Sequence, residues 1–368
     1  MTFKKVISAL LLLAMCVGIL SSCAADTSPA VLTLDKYKIT ANMYNYWAST
    51  SKANFLSADR TMTDCPELWA SQYAEGITLG QYCDSLIQND LKKTLVCLKL
   101  FDEEKLKLSD ETVKTIDEGI AMYLSEYSNG NKNEFNAALA KYGANMDILR
   151  NIYIAEAKRE MLYNHLFGED GKMALTDGAK EEYFQTRYCH MQIIYINDKS
   201  ASVTDEDGKA VMNADGTPAT RALTEAEAKK KKETIEAVKS GLAAGEKFED
   251  LYTKYSEMKK YENGYYYSVD ASYVSTLFNK MAAETSKIEV GATTLMEEES
   301  GTYIIKRLEN TEGDWKNEKF ADFFHDFESI ASLAAFAQYI EPYMSQITVN
   351  TEKIGAYSID AVVPNYSF

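Results

Sequence analysis

Residues 187–196, RYCHMQIIYI, form the strongest β-strand candidate in the chain. The run is short and rich in β-branched and aromatic residues, and it lies between a polar helical stretch and a polar loop. Those properties favour a buried strand. His190, one of only 3 histidines, stands near the head of this strand. A titratable ring there needs a partner, so the role of His190 is the first question that the sequence raises.

The first residues predict export. A charged start, MTFKK, precedes the apolar run VISALLLLAMCVGIL and the small residues SSC. This order is typical of a signal peptide, and the apolar run is shorter than the roughly 20 residues that a membrane-spanning helix needs. The segment Leu20-Ser21-Ser22-Cys23 resembles the bacterial lipobox, whose cysteine receives a diacylglycerol and becomes the new N-terminus. We therefore expect residues 1–22 to be a lipoprotein signal peptide and the mature chain to be lipid-anchored at Cys23, on the extracytoplasmic face of the cell membrane.

The charge of the chain argues against a nucleic-acid partner. The formal net charge is −16, and it becomes −18 without residues 1–22, which contain Lys4 and Lys5 and no acid. An acidic surface attracts neither nucleic acid nor an anionic membrane, so the lipid itself would hold the protein at the membrane. The simplest role of the charge is solubility.

The cysteines suggest no metal site. If Cys16 leaves with the signal and Cys23 is lipidated, four cysteines remain: Cys65, Cys83, Cys97 and Cys189. The sequence contains no CxxC pair and no Cys/His spacing typical of zinc, and we expect no metal and no other cofactor. Export permits disulfides, for example between Cys65 and Cys83 or Cys97, but free buried thiols are at least as consistent with the pattern.

The N-terminal half of the chain is predicted to be mainly helical. Residues 30–40 predict two short strands, and Thr40 predicts the N-cap of the helix that follows. From there to about residue 185, apolar residues recur at intervals of three and four, as in amphipathic helices. Ser109 is a second predicted N-cap, with two acidic residues in the first turn where the helix dipole favours them.

A different pattern begins near Thr176. Residues 197–223 form a polar insertion rich in turn-forming residues. Its Asp205, Asp207 and Asp215 suggest calcium, but the full ligand spacing and the terminal Glu of an EF-hand are missing, so we predict a solvated hairpin.

The segments after this insertion complete a recognisable order. A helix, a Gly break and a second helix are followed by a Gly-led strand, a short helix and a closing strand, and then by a long amphipathic helix with a strand-like end. The distinctive features are Cys189-His190-Met191-Gln192-Ile193 in the first strand, GEKFEDLYTKYS after the first helix, the aromatic segment that begins at Gly264, the Phe of STLFNKM, and SGTYIIKRLE as the last strand. Their order over residues 186–309 resembles the parvulin-type peptidyl-prolyl isomerase domain.

The flanking segments extend this resemblance to nearly the whole mature chain. A lipid anchor, an N-terminal helical region and a C-terminal helix resemble the extracytoplasmic foldases of the PrsA and SurA type. The resemblance implies an α+β fold, in which a mostly helical chaperone domain built from the N- and C-terminal segments carries an inserted parvulin-like domain, a small antiparallel sheet flanked by helices. The implied domains are the signal peptide 1–22, an N-terminal helical chaperone region 23–180, a parvulin-like domain 181–310, and a C-terminal helix and strand 311–368 that pack on the N-terminal region.

Prolyl isomerisation makes modest chemical demands. It breaks no covalent bond, and its barrier of about 18–20 kcal/mol is amide resonance. The twisted amide has less charge separation than the planar one, so a dry apolar pocket with a few polar groups can lower the barrier. In the parvulin family the polar groups are two histidines, a Cys or Asp, and a Ser or Thr.

Two of the four polar positions of the family pattern are kept in this sequence. The first histidine matches His190 and the hydroxyl matches Ser300, whereas Met258 stands where a Cys or Asp is expected and Tyr303 replaces the second histidine. Tyr303 could still hydrogen-bond to His190, because a tyrosine hydroxyl both donates and accepts. Met258 cannot replace a thiol or a carboxylate. The resemblance thus implies a catalytic set of His190, Ser300 and Tyr303.

The apolar pocket is better preserved than the polar set. The residues implied to line the substrate pocket are Met258, Tyr267, Tyr273, Val274 and Phe278. Tyr265, Tyr266 and Tyr267 are consecutive, and three consecutive residues of a strand cannot all point to one face, so at least one of them should be exposed or line the pocket.

Two interpretations of His190 and three of the protein stay open. His190 is either a catalytic or orienting residue or a satisfied polar group of the core, and the loss of its usual neighbours favours the second. The protein is a foldase that isomerises prolines, a chaperone that has lost that activity, or a surface lipoprotein with one specific partner. We expect a folding factor for unfolded or newly exported polypeptides, with weak or absent peptidyl-prolyl cis-trans isomerase activity. The sequence leaves open whether the protein forms a homodimer.

Overall fold

A computed structural model describes residues 26–58, 62–205, 207, 209–213, 216–269 and 277–368. Within these ranges the chain forms two units: unit 1 combines the residues up to 174 with residues 332–368, and unit 2 comprises residues 175–331. Helices and small antiparallel sheets make up both, which confirms the predicted α+β class. None of the described helices is long and apolar enough to cross a bilayer.

The helices and strands are numbered in chain order. The strands are β1 (Ala30–Leu34), β2 (Tyr37–Thr40), β3 (Gln72–Ala74), β4 (Ile77–Thr78), β5 (Tyr188–Ile196), β6 (Ser200–Ser202), β7 (Thr220–Ala222), β8 (Tyr265–Ser268), β9 (Thr293–Glu298), β10 (Gly301–Leu308) and β11 (Thr348–Val349). The α-helices are α1 (Ala41–Ala58), α2 (Pro66–Ala70), α3 (Leu79–Glu103), α4 (Asp110–Ser128), α5 (Lys132–Leu139), α6 (Met146–Phe167), α7 (Asp177–Arg187), α8 (Glu225–Ala243), α9 (Phe248–Tyr255), α10 (Leu277–Thr285), α11 (Ala321–Phe324), α12 (Phe327–Met344) and α13 (Thr351–Ile354).

Unit 1 joins the two ends of the described chain. Strand β1 pairs with β2 on one side and with β11 on the other, so a C-terminal strand completes an N-terminal sheet. The core around this sheet contains Leu32 and Ile39 from the strands, Leu95 from α3, Leu166 from α6 and Ile340 from α12. Burial of these side chains supplies most of the free energy that holds the two segments together.

The helices of unit 1 begin where the sequence predicts caps. Thr40 Oγ1 accepts a hydrogen bond from the Met43 amide at 3.3 Å, at the start of α1. Ser109 Oγ accepts from the Thr112 amide at 3.0 Å, at the start of α4. Such caps satisfy amides that have no partner within the helix, which explains why these helices begin there.

Unit 2, residues 175–331, contains the predicted parvulin-like domain, residues 181–310. An aromatic cluster packs α7 and the segment after β10 against the sheet. Its members are Phe184, Tyr188, Tyr266, Trp315, Phe320, Phe324 and Phe327.

The sheet of unit 2 has the order β8-β5-β10-β9, and all its pairs are antiparallel. Strand β5 lies inside the sheet, and eight of its nine residues are buried, as its composition predicts. Ile194 and Ile196 pack on one face, against α8 and α9. Met191 and Ile193 pack on the other, against α10. Both faces of the strand are therefore covered by protein.

The polar insertion is a solvated hairpin, as predicted. Strands β6 and β7 pair within it, and all three residues of β7 are exposed. Asp205 Oδ1 accepts hydrogen bonds from the amides of Asp207 at 3.0 Å and Lys209 at 2.8 Å, so this carboxylate closes a turn. Asp215 lies outside the described residues.

Candidate functional site

His190 is buried, and hydrogen bonds occupy its ring. The residue is 8% exposed, and its ring stacks on Tyr266 with 4.1 Å between centroids. Nε2 lies 2.8 Å from the Asn263 carbonyl oxygen, and Nδ1 lies 3.0 Å from the Glu309 carbonyl oxygen. One carbonyl belongs to the loop before β8 and the other to the loop after β10. His190 thus connects two loops of unit 2, and both ring nitrogens are engaged.

The same loop explains why a glycine leads the aromatic segment. Gly264 has φ +91°, and a Cβ built on it would lie 2.8 Å from His190 Nε2. Gln192, two residues along the strand and on the same face, donates from Nε2 to the Glu262 carbonyl oxygen at 3.1 Å. Two polar side chains of β5 therefore fasten this loop, and glycine is needed for both its conformation and its close approach.

The predicted contact between Tyr303 and His190 does not form. Strand β10 pairs Tyr303 with Tyr195 and pairs Leu308 with His190, in one continuous antiparallel register. Tyr303 and Leu308 are an odd number of residues apart, so their side chains point to opposite faces of the sheet. His190 therefore lies on the opposite face from Tyr303, and alternation along the strand is the physical reason.

Ser300 and Tyr303 do come together, with a third residue that the family pattern does not include. Ser300 Oγ and the Tyr303 hydroxyl are 2.8 Å apart. The Tyr195 hydroxyl donates to the Ser300 carbonyl oxygen at 2.6 Å, and the Tyr195 and Tyr303 rings are 4.8 Å apart. We call Tyr195, Ser300 and Tyr303 the hydroxyl cluster. The two-residue alternation from Met191 to Tyr195 was the signal that could have placed Tyr195 on this side.

Aromatic rings cover the same side of the sheet. Phe278 stacks on Tyr267 at 4.9 Å and on Tyr265 at 5.8 Å, with interplanar angles of 15° and 18°. Met258 is half-buried and packs against this group. We call these rings, Met258 and the hydroxyl cluster together the aromatic face. Two further residues expected to line the pocket, Tyr273 and Val274, lie outside the described residues.

The three consecutive tyrosines divide between the two faces. Tyr265 is 2% exposed and packs into the aromatic face, whereas Tyr266 is 1% exposed and packs into the cluster around His190. Tyr267 is half-buried on the aromatic face. The tyrosine that the sequence predicts to line a site is thus Tyr267.

Burial favours the neutral forms of two polar groups on this side of the sheet. Burial, together with the neighbouring Tyr303, Glu257 and Asp198, raises the pKa of Tyr195 to about 12. Burial also raises the pKa of the Cys189 thiol, on the same face, to about 11. Because the thiolate is the reactive form, Cys189 is a poor nucleophile. The face can offer apolar contact and neutral hydrogen bonds to a ligand.

Other predicted features can now be placed. Cys65, Cys83, Cys97 and Cys189 are free thiols, and the first is the least buried of the four. The predicted lipidation site Cys23 and the signal peptide lie outside the described residues. Among the residues that the model describes, no group of three or more His, Cys, Asp or Glu side chains could hold a metal ion.

Solved structures similar to this chain are PrsA and SurA-like proteins. PrsA from Bacillus subtilis matches 79% of this chain and 98% of its own, at 18% identity and a TM-score of 0.22. PrsA from Bacillus cereus, a peptidylprolyl isomerase, matches 79% and 97%, at 14% identity and a TM-score of 0.27. A SurA-like chaperone from Campylobacter jejuni matches 88% and 98%, at 14% identity and a TM-score of 0.23.

These proteins are of the kind that the sequence resembles. Because every TM-score is below 0.5, they carry no argument about what this chain does. No protein-family model and no curated protein matches the chain.

Proposed function

We propose that this protein is an extracytoplasmic folding factor, anchored to the membrane by a lipid on Cys23, which binds unfolded exported polypeptides. The observation that carries the proposal is the aromatic face of unit 2. It offers large rings at small entropic cost, and the hydroxyl cluster offers neutral donors and acceptors for a peptide backbone. Such a surface suits many unfolded segments, because every unfolded chain exposes apolar side chains and peptide groups.

Prolyl isomerase activity is proposed to be weak or absent. Of the four polar positions that the parvulin family uses, only the hydroxyl of Ser300 has its expected chemistry on the aromatic face. Met258 and Tyr303 depart from the pattern, and the imidazole of His190 lies on the other face, with its ring nitrogens 2.8 Å and 3.0 Å from backbone carbonyl oxygens. A neutral aromatic surface can hold a proline ring, but few of its groups can favour the twisted amide.

Suppression of client aggregation tests the function. Residues 24–368 should slow the aggregation of several unrelated unfolded proteins, followed by light scattering. Tyr267→Ser combined with Phe278→Ala should reduce this effect severalfold, because it removes two stacked rings of the aromatic face. Tyr366→Ser is the matched control, since Tyr366 is 64% exposed and belongs to unit 1.

Three outcomes would count against the proposal. Failure of the unmodified chain to protect any client would remove the chaperone function. Protection confined to one client would favour the alternative, a surface lipoprotein with one specific partner. Equal loss of protection in the control variant would mean that protection does not depend on the aromatic face.

A further inference from the structure

A small cavity in unit 1 combines apolar walls with two lysines. Its volume is about 180 Å³. Its lining consists of Asp26, Lys38, Thr40, Met43, Leu98, Asn151, Ile154, Ala155 and Lys158. Because a water molecule takes about 30 Å³ of liquid, the cavity has room for about six waters or for a small polar headgroup.

The two lysines carry charge that the neighbouring protein leaves available. In the described part of the chain neither Lys38 nor Lys158 forms an ion pair, and the Lys158 Nζ lies 5.2 Å from the centroid of the Phe101 ring. Asp102 acts on Lys158 electrostatically. The Asp102 carboxylate already accepts a hydrogen bond from the Tyr37 hydroxyl at 2.7 Å and forms an ion pair with Lys36 at 3.2 Å.

The carboxylate in the cavity wall is also occupied. Asp26 is 9% exposed, and its Oδ1 accepts from the Ser28 amide at 2.9 Å, from Ser28 Oγ at 2.7 Å and from Asn42 Nδ2 at 3.1 Å. Its Oδ2 accepts from the Thr40 hydroxyl. With two lysines and one carboxylate, the lining has a formal net charge of +1. Because both oxygens of that carboxylate already accept hydrogen bonds, the lysines are the charged groups that remain to contact a ligand.

The cavity lies close to the proposed lipid anchor. Only Ala24 and Ala25 lie between Cys23 and Asp26, and three residue steps of extended chain span at most about 11 Å. We propose that this cavity binds the phosphate-bearing headgroup of an anionic phospholipid. Lys38 and Lys158 contact the phosphate, and the apolar walls contact the glycerol and the first methylenes. In a chain with a net charge of −18 without its signal, this contact would orient the anchored protein.

The inference takes the position of the membrane from the anchor proposed above, but its test needs no anchor. Residues 24–368 are titrated below the micellar concentration with dihexanoyl-phosphatidylglycerol, with dihexanoyl-phosphatidylcholine and with inorganic phosphate. Calorimetry gives the affinity, and the Met43 methyl resonance in protein labelled on the methionine methyls reports on the cavity itself. Phosphatidylglycerol should bind and shift the Met43 signal, and the other two ligands should bind at least fivefold more weakly.

The variant that tests the two charges is Lys38→Gln combined with Lys158→Gln. It should weaken phosphatidylglycerol binding about tenfold or more, because each lysine near an anionic lipid surface contributes about a factor of five. The matched control is Lys132→Gln with Lys141→Gln, which makes the same charge change at two exposed lysines of unit 1 outside the cavity. The control should keep the affinity of the unmodified chain.

Four results would overturn the inference. They are no binding of phosphatidylglycerol, equal binding of phosphatidylcholine, equal binding of inorganic phosphate, which would indicate a site for the free anion, and an equal loss of affinity in the control variant. The aggregation assay is independent of all four. Failure of the headgroup site therefore leaves the folding function standing, and failure of the folding function leaves the headgroup site standing.

Discussion

His190 shows how one buried polar side chain can serve the fold. Its two nitrogens lie 2.8 Å and 3.0 Å from carbonyl oxygens of two loops, one before β8 and one after β10. A neutral imidazole has one N–H and can donate to only one of them, whereas the cation donates to both. In either state the ring makes contacts within the protein, and its removal takes a hydrogen-bond donor from the Asn263 or the Glu309 carbonyl.

We expect His190→Ala to affect stability rather than catalysis. The unfolding free energy should fall by about 2 kcal/mol, because the variant loses a buried ring that stacks on Tyr266 and the hydrogen bond of that ring to a loop carbonyl. The rate of prolyl isomerisation on a Pro-containing peptide, compared with the spontaneous rate, should be the same for the variant and for residues 24–368.

The control for this substitution is His165→Ala. The side chain of His165 is 33% exposed and pairs with Glu104, so its loss should change stability little. A lower isomerisation rate in the His190 variant with unchanged stability would instead make His190 catalytic.

At the scale of the element, strand β5 separates His190 from the other two residues of the predicted catalytic set. Its even-numbered residues, from His190 to Ile196, point to one face, and its odd-numbered residues, from Met191 to Tyr195, point to the other. Helices cover both faces, so the strand is apolar on both sides and its composition does not indicate which face carries a site. Only the pairing with β10 places Tyr195 beside Tyr303.

The stability of unit 1 should depend on pH through Asp84 of helix α3. Asp84 of α3 accepts a hydrogen bond from the Ile359 amide at 2.7 Å. Burial raises the pKa of Asp84 to about 6, and the nearby Asp360 acts in the same direction, while the Ile359 hydrogen bond lowers it. Because this pKa lies above the value in the unfolded chain, the folded state binds the proton more tightly. Protonation therefore contributes stability below about pH 4, which is lost as the pH rises through about 6.

Asp84→Asn should remove the pH dependence of stability that comes from Asp84. The amide oxygen keeps an acceptor for Ile359 without the cost of a buried charge. At pH 7.5 we expect the variant to be about 1 kcal/mol more stable than the unmodified chain, and at pH 4.5 the gain should disappear. Urea midpoints at both pH values measure this. Asp170→Asn, at an exposed acid of unit 1, is the control. An Asp84 variant that is less stable at pH 7.5 would mean that the charged hydrogen bond outweighs burial.

At the scale of the whole molecule, the described hydrophobic clusters each stay within one unit. Two clusters belong to unit 1, and three belong to unit 2. Unit 1 depends on chain segments far apart in sequence. Lys52 of α1 is 2% exposed, and its Nζ donates to the Val362 carbonyl oxygen at 2.9 Å and pairs with Asp64 at 2.9 Å. One buried cation thus holds the C-terminal segment against the first helix.

Lys52→Met should loosen unit 1 selectively. Removing the cation leaves a buried carbonyl and a partly buried carboxylate unpaired, which should cost about 2–4 kcal/mol. Hydrogen exchange should become faster in α1 and around residues 359–365 and stay unchanged in β5 and β10. Lys132→Met, at an exposed lysine of α5, should change neither region. Faster exchange throughout unit 2 would contradict the separation of the cores.

Much of this protein follows from its sequence alone. The α+β class, β5 as a buried strand, the caps at Thr40 and Ser109, and the polar hairpin depend on local periodicity and on side chains that bond to nearby amides, so they can be predicted from short segments. The kind of protein that the chain resembles follows from the order of such segments.

The candidate site could be predicted only in part, because it depends on distant pairing. Ser300, Tyr303, Met258, Tyr267 and Phe278 were all identified through the resemblance. The face to which His190 points, the presence of Tyr195 in the hydroxyl cluster and the aromatic cluster that packs α7 against the sheet depend on the strand register and on packing between remote segments. Local sequence determined the elements, and tertiary structure decided which side chains meet, because contacts between remote residues form only when the whole chain folds.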